Sequence, residues 1–206
     1  EERIFNANLI FVCGSSLGTT AVLLNSTSNR FPTGFGNDSG ELGHNLMDHH
    51  FRTGASGTWE GDADKYYFGR RANGIYVPRY RNIGNDKRDY LRGFGYQGGG
   101  SRASWQRNVA ELSFGADFKE ELTKPGPWSM GLGGFGETLP YHENRMFLDP
   151  KEKDKWGMPL VVFDAELKEN EKKMRVDMAN DAAEMLEKAG VKNVKSYDRG
   201  SWLGMA

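Results

Sequence analysis

Gly93-Phe-Gly-Tyr-Gln-Gly98 and Gly131-Leu-Gly-Gly-Phe-Gly136 both spell G-x-G-x-x-G, and their reading decides the fold. A dinucleotide turn needs a buried strand before it and a helix opening on it. The first segment follows Lys87-Arg-Asp89 and runs on into Gly99 and Gly100. The second leads to Glu137-Thr-Leu-Pro140, where proline opposes a helix. Neither has the required context. Both read instead as glycine inside β-strands, where the missing side chain permits a bulge or close approach of a ligand or another backbone.

The surroundings agree. Gly74-Ile-Tyr-Val-Pro78, Lys65-Tyr-Tyr-Phe-Gly69, Tyr90–Tyr96, Ala110-Glu-Leu-Ser-Phe114 and Trp128-Ser-Met-Gly-Leu132 are short aromatic or β-branched runs separated by Gly, Asn and Asp. That spacing predicts several antiparallel strands. Met146-Phe-Leu148 and Leu160-Val-Val-Phe-Asp164 predict two more, on either side of the charged turn Asp149–Asp154. A long helix is predicted over 169–189. Met174, Met178, Ala182, Met185, Leu186 and Ala189 share one face, with Gly190 as its stop and Val191 folding back over the last turn. The methionine stripe reads as core. The fold class is therefore α+β, a mostly antiparallel sheet backed by helices.

The N-terminus differs. Residues 4–13 end in the apolar run Leu9-Ile-Phe-Val-Cys13, the pattern of a strand covered on both faces. Gly14-Ser15-Ser16 then predicts a tight turn with a serine N-cap, and Leu17, Ala21 and Leu24 a short helix. A strand, small residues and a helix N-terminus together bring backbone N–H groups close to a ligand, often a phosphate or dinucleotide. Residues 26–43, rich in Ser, Thr, Asn, Gly and Pro, read as loop.

The 206 residues allow one sizeable core or two small ones. With 27 basic and 28 acidic residues the net charge is −1, which gives no nucleic-acid footprint. No long apolar run encodes a membrane span. The one cysteine, Cys13, forms no intrachain disulfide and reads as a small packed residue. His44, Asp48, His49 and His50 could supply a metal site of two histidines and a carboxylate, but Gly43 and Asn45 indicate irregular backbone and a polar loop. Ser15 or Ser16 with those histidines could compose a hydrolytic triad, yet no G-x-S-x-G elbow is present. Arg70-Arg71 and Arg79-Tyr-Arg81, beside aromatics, could serve a sugar or acidic substrate but read rather as a solvated strand face.

Four blocks, in order, resemble the glucose–methanol–choline family of flavin oxidoreductases. Phe11–Ser26 resembles its second signature, and Leu42-Gly-His-Asn-Leu-Met-Asp-His49 its Val-Gly-x-Asn-Leu-x-Asp-His block. Gly136–Pro140 with Asn144–Asp149 resembles the opening of its C-terminal part. Asp154-Lys-Trp-Gly-Met-Pro159 and the helix after it resemble the next segment of that part. Within that family the pattern resembles the sugar oxidases of the pyranose oxidase type. The chain departs from the family pattern at Cys13-Gly14-Ser15, where Ala-Gly-Ala is usual, and at Ser26-Thr-Ser-Asn29, where Ser-Gly-Ile-Gly is usual.

The resemblance implies an FAD-dependent enzyme oxidising a small alcohol or sugar by hydride transfer to the flavin. Residues 1–50 would be a remnant of the FAD-binding domain and 51–206 the substrate-binding domain. Cys13, Gly14, Ser15, Asn45, Asp48 and His49 would contact or brace FAD. Tyr96, Gln97 and Phe135 would face the flavin and substrate. The family's ADP-binding fingerprint is expected upstream of this stretch and its His-Glu-x-Gly-Thr block just beyond Ser201–Ala206, so no histidine here is catalytic. The stretch alone is then expected to be inactive and to bind FAD poorly, with the compartment open between cytoplasm and periplasm. The alternative reading is a stand-alone carbohydrate-binding or structural module, with aromatics stacking on sugars.

Overall fold

A computed structural model of the chain describes residues 3–62, 74–102, 114–123 and 126–201. The expected strand at Lys65–Gly69, the Arg70-Arg71 pair, Ala110–Ser113 and Trp202–Ala206 lie outside the described residues. The fold is α+β and, among the described residues, comprises a five-stranded antiparallel sheet, a two-stranded hairpin and three helices. The chain forms two compact units, one of residues 48–139 and 167–205, the other of 1–47 and 140–166 with residue 206.

The larger unit is built on the sheet. Its strands are β1 (His49–Trp59), β2 (Ile75–Val77), β3 (Phe94–Arg102), β4 (Trp128–Glu137) and β7 (Lys192–Ser201), in the order β2-β3-β4-β1-β7. The two G-x-G-x-x-G segments are neighbours in it: Phe94 pairs with Gly136, Tyr96 with Gly134 and Gly98 with Leu132. Close packing explains their glycines. A Cβ on Gly98 would meet the Gly131 carbonyl, one on Gly54 the Leu132 carbonyl and one on Gly134 the Met178 side chain. Glycine lets backbone and helix approach this sheet where any side chain would push them apart.

Helix α3 (Glu169–Lys188) covers one face of the sheet. Its buried stripe Met174, Met178, Ala182 and Leu186 meets Ala55, Phe94, Tyr96 and Leu132 to form the core. Phe94 and Tyr96 meet edge to face at 5.5 Å, a geometry that suits their ring quadrupoles. The helix opens on Glu171, fully buried, whose carboxylate accepts the Lys168 and Leu139 amides at 3.1 and 3.0 Å. It stops at Gly190, with φ +90°, where Val191 folds back and donates its amide to Leu186 O. The eight-residue helix α2 (Ala116–Thr123) precedes β4.

The Arg79–Arg81 segment is pinned rather than a solvated strand face. Arg81 holds Asp181 of α3 through Nε and Nη2 at 2.7 and 2.6 Å, and the Tyr80 hydroxyl donates to the same carboxylate. Arg88 and the Tyr90 hydroxyl engage Asp177 one turn earlier. Burial and these carboxylates push both tyrosine pKa values upward, so their hydroxyls stay donors.

The smaller unit holds helix α1 (Ser15–Asn25) and the hairpin β5 (Arg145–Lys153) and β6 (Pro159–Asp164). Asn144, 1% exposed, organises it. Its carbonyl accepts the Leu46 amide, and its side chain both donates to and accepts from the Glu166 backbone. The expected strand over 4–13 does not form. Those residues take no regular secondary structure, and Ile4, Phe5, Leu9, Ile10 and Phe11 are 70–84% exposed. An apolar run signals a need for burial, but a strand also needs a neighbour for its backbone, and none pairs with it among the described residues. Cys13 is likewise exposed rather than packed.

Candidate functional site

Alternation along each strand separates the sheet into two faces. Phe94, Tyr96, Leu132 and Ala55 point toward α3, while Gln97, Phe135 and Ser56 take the opposite face. Register aligns Tyr76, Gln97, Gly133, Gly54 and Tyr197 in one row across all five strands, and Gly99, Gly131, Ser56 and Lys195 in another. The middle of that open face is therefore floored by glycine and flanked by aromatic rings.

Cavities lie on it, and Phe135 stands in the wall of two of them. The first, about 330 Å³, is lined by His49, Tyr76, Arg79, Gln97, Phe135 and Glu137. Its charges are largely paired. Arg79 lies 3.4 Å from Glu137 and also donates to Arg81 O and Asn82 O, and Arg92 approaches the same carboxylate at 3.9 Å. The Gln97 carboxamide and Tyr76 hydroxyl have no protein partner among the described residues, so both are available to a ligand. The second cavity, about 520 Å³, is lined by Phe51, Arg52, Ser56, Phe135, Tyr197 and Arg199. The Phe51 and Phe135 rings lie parallel with centroids 6.2 Å apart. Phe51 stands at an irregularity of register in β1, where Arg52 has φ +61°.

The residues expected at the substrate site separate. Gln97 and Phe135 share the open face. The Tyr96 side chain points the other way, is fully buried, and its hydroxyl donates to Met178 O at 2.6 Å, so a ligand on the open face meets only its backbone. Period-two geometry puts adjacent residues on opposite faces.

The residues expected at the cofactor divide between the units. In the smaller, Gly14 precedes α1 and donates its amide to Thr19 Oγ1 at 3.1 Å, so neither serine caps the helix. Ser15 has φ +59°. Asn45, with φ +58°, donates to Glu41 at 3.1 Å. In the larger unit the Asp48 carboxylate accepts the His49 amide at 2.6 Å, and the Asp48 carbonyl accepts the Thr138 hydroxyl. The His49 side chain is exposed and lines the first cavity.

The histidines do not gather. His44 stacks on His142, with ring centroids 4.1 Å apart, and its Nδ1 lies 2.7 Å from His142 O. His50 is buried on the α3 face against Gly136, with no hydrogen-bond partner at either ring nitrogen among the described residues. Burial, then the nearby Arg175 cation, lowers its pKa to about 4, so it is neutral at pH 7. Arg175 itself is buried, donates to Phe51 O at 3.1 Å and pairs with Asp198, which holds that carboxyl below the usual range. No group of three His, Cys, Asp or Glu side chains placed to hold a metal ion occurs among the described residues. Among them, too, no helix is long and apolar enough to cross a membrane.

Sequence reasoning missed the second cavity because it missed β1 and β7. His49-His-Phe-Arg-Thr-Gly-Ala-Ser-Gly-Thr-Trp59 has few strand-favouring residues and two glycines. A usable signal was the small-residue run Thr53–Thr58 facing the glycine-rich β4.

No family model matches the chain. Over 183 residues it is 30% identical to the 2-methyl-1,2-propanediol dehydrogenase of Mycolicibacterium austroafricanum, an alignment covering 81% of this chain and 31% of that protein. The chain thus spans about a third of the length of the curated relative it matches.

Proposed function

We propose that this chain is the substrate-side portion, with one cofactor-contacting unit, of an oxidoreductase that oxidises an alcohol or sugar hydroxyl with FAD as acceptor, of the glucose–methanol–choline type. The single observation that carries the reading is the 30% identity, along most of the chain, to a protein named as a dehydrogenase of a small diol. The first cavity on the open sheet face supports it. Gln97 offers both a donor and an acceptor, Tyr76 a hydroxyl and Phe135 an apolar wall, a set suited to an uncharged polyol. Its neighbouring charges are engaged with one another, which favours a neutral ligand over an acid.

The start of α1 supports a contact with FAD. α1 has no side-chain cap and no acidic residue in its first turn, and a Cβ on Gly18 would meet nothing within 4 Å. That leaves the positive end of a helix open to an anionic group such as a cofactor phosphate. When bound, the flavin ring accepts the hydride. In this reading Gly14 and Ser15 let the backbone approach the cofactor. Asp48 holds the His49 amide and the Thr138 hydroxyl, and so fixes the turn into β1. Gln97 orients the substrate hydroxyls, and Phe135 excludes water beside them. No residue of this chain is assigned as the proton acceptor.

The test is to read the coding sequence on both sides of this stretch and to express the protein it encodes. The expected protein carries a G-x-G-x-x-G strand–helix unit upstream, is yellow, and loses its flavin absorbance anaerobically with a 1,2-diol or sugar. A colourless protein, or bound flavin that no alcohol bleaches, overturns the proposal.

A further inference from the structure

The second cavity differs from the first in its charge. Of the arginines described by the structure, Arg30, Arg79, Arg81, Arg88, Arg92, Arg145 and Arg175 each lie within 4 Å of a carboxylate oxygen, and Arg3 and Arg102 also have partners. Arg52 and Arg199 have no carboxylate partner among the described residues, and both line this cavity. Each instead lies over an aromatic ring, Arg52 Cζ at 5.5 Å from the Phe51 centroid and Arg199 Cζ at 5.6 Å from that of Tyr197. A ring beneath a guanidinium restrains it while leaving its N–H fork free. Lys195, also without a carboxylate partner among the described residues, borders the neighbouring depression together with Ser56. The Ser56 and Tyr197 hydroxyls have no protein partner among the described residues either. The chain as a whole carries a net charge of −1, so this concentration of unpaired cations does not follow from composition.

We infer that this cavity binds a small organic oxyanion, a carboxylate or phosphate monoester on a flat apolar body. The two guanidiniums take the oxyanion through charge-assisted N–H bonds, with the Ser56 and Tyr197 hydroxyls as further donors. The body lies on the floor at Gly133, beside the Phe51 and Phe135 rings. That floor is open: a Cβ built on Gly133 would find only Gln97 O and the Tyr197 hydroxyl, each 3.7 Å away. A volume of about 520 Å³ suits a ligand of this size. The inference rests on the cavity alone and does not depend on the redox reading.

The test titrates the full chain with benzoate, phenyl phosphate and neutral benzyl alcohol, followed by calorimetry and by amide chemical shifts of Gly54, Gly133 and Gly134. Both anions are expected to bind and shift those amides, with benzyl alcohol at least about tenfold weaker. Arg52→Gln and Arg199→Gln should each weaken the anions by about tenfold, and the double variant should abolish the shifts. Both sites are on the surface, and unchanged thermal melting confirms that the variants fold. Equal binding of benzyl alcohol, anion shifts that survive in the double variant, or no binding of either anion overturns the inference.

Discussion

The two faces of the sheet are written by alternate residues of the same strands, yet they follow opposite rules. On the α3 face every position is filled. Phe94, Tyr96 and Leu132 meet the methionine stripe, and Arg175 and Glu171 are buried with their charges satisfied. On the other face the positions between them are glycine, polar or aromatic residues, such as Gly133, Ser56, Gln97 and Phe135, and Arg52 and Arg199 have no carboxylate among the described residues. One face buries apolar area for stability and the other keeps space and unspent donors. The contrast teaches that a strand rich in glycine can be half core and half binding floor, with the division set by parity.

The largest test compares two phenylalanines. Phe94→Ala on the covered face should cost about 4 kcal/mol in denaturant unfolding, whereas Phe135→Ala on the open face should cost less than about 1 kcal/mol. Equal losses would mean that both faces carry the core.

Next comes His50, the one covered-face group with buried nitrogens left unpartnered among the described residues. Its folded pKa of about 4 lies below the ordinary 6.5. The unfolded chain therefore binds more protons between these values, so stability is full above pH 6.5 and falls as pH drops toward 4. Between pH 7 and 4.5 the wild type should lose roughly 2 to 3 kcal/mol more than His50→Leu. Parallel pH profiles for the two proteins would remove His50 as the cause.

Adjacent glycines sharpen the division further. A Cβ on Gly134 runs into the Met178 side chain, and one on Gly133 makes only ordinary contacts. Gly134→Ala should lose about 2 kcal/mol and Gly133→Ala less than about 0.5 kcal/mol by thermal unfolding, and the reverse order would place the faces wrongly. The smallest effect is Tyr96→Phe. It should cost about 1 kcal/mol of stability through the lost bond to Met178 O, and leave ligand binding on the open face unchanged.

Much of this was legible in the sequence. The α3 stripe is a strong 3.6-residue pattern with its own stop at Gly190, so the helix and its buried face follow from local rules. The glycine-rich segments were legible as strands because their flanks forbid a nucleotide turn. β1 and β7 were not, since Thr53–Thr58 and Lys192–Ser201 carry little intrinsic strand preference and are held by partners distant in sequence. The N-terminal run shows the converse, strong apolar character without a strand. Gln97 and Phe135 could be nominated from residue type, but that Tyr96 belongs to the core followed only once the covered face was known. The pairing of Arg52 with Arg199, 147 positions apart in the numbering, needed the register of β7 on β1.

By itself, then, the sequence determined the long helix, the antiparallel character of the glycine-rich region and the low net charge. These are set by residue periodicity, turn chemistry and composition, all of which act over a few neighbours. Only the tertiary structure decided which face of the sheet α3 covers, which arginines find carboxylates and which are left facing a cavity. Those outcomes depend on strand order and register, and register is fixed by the joint packing of segments that the chain itself keeps far apart.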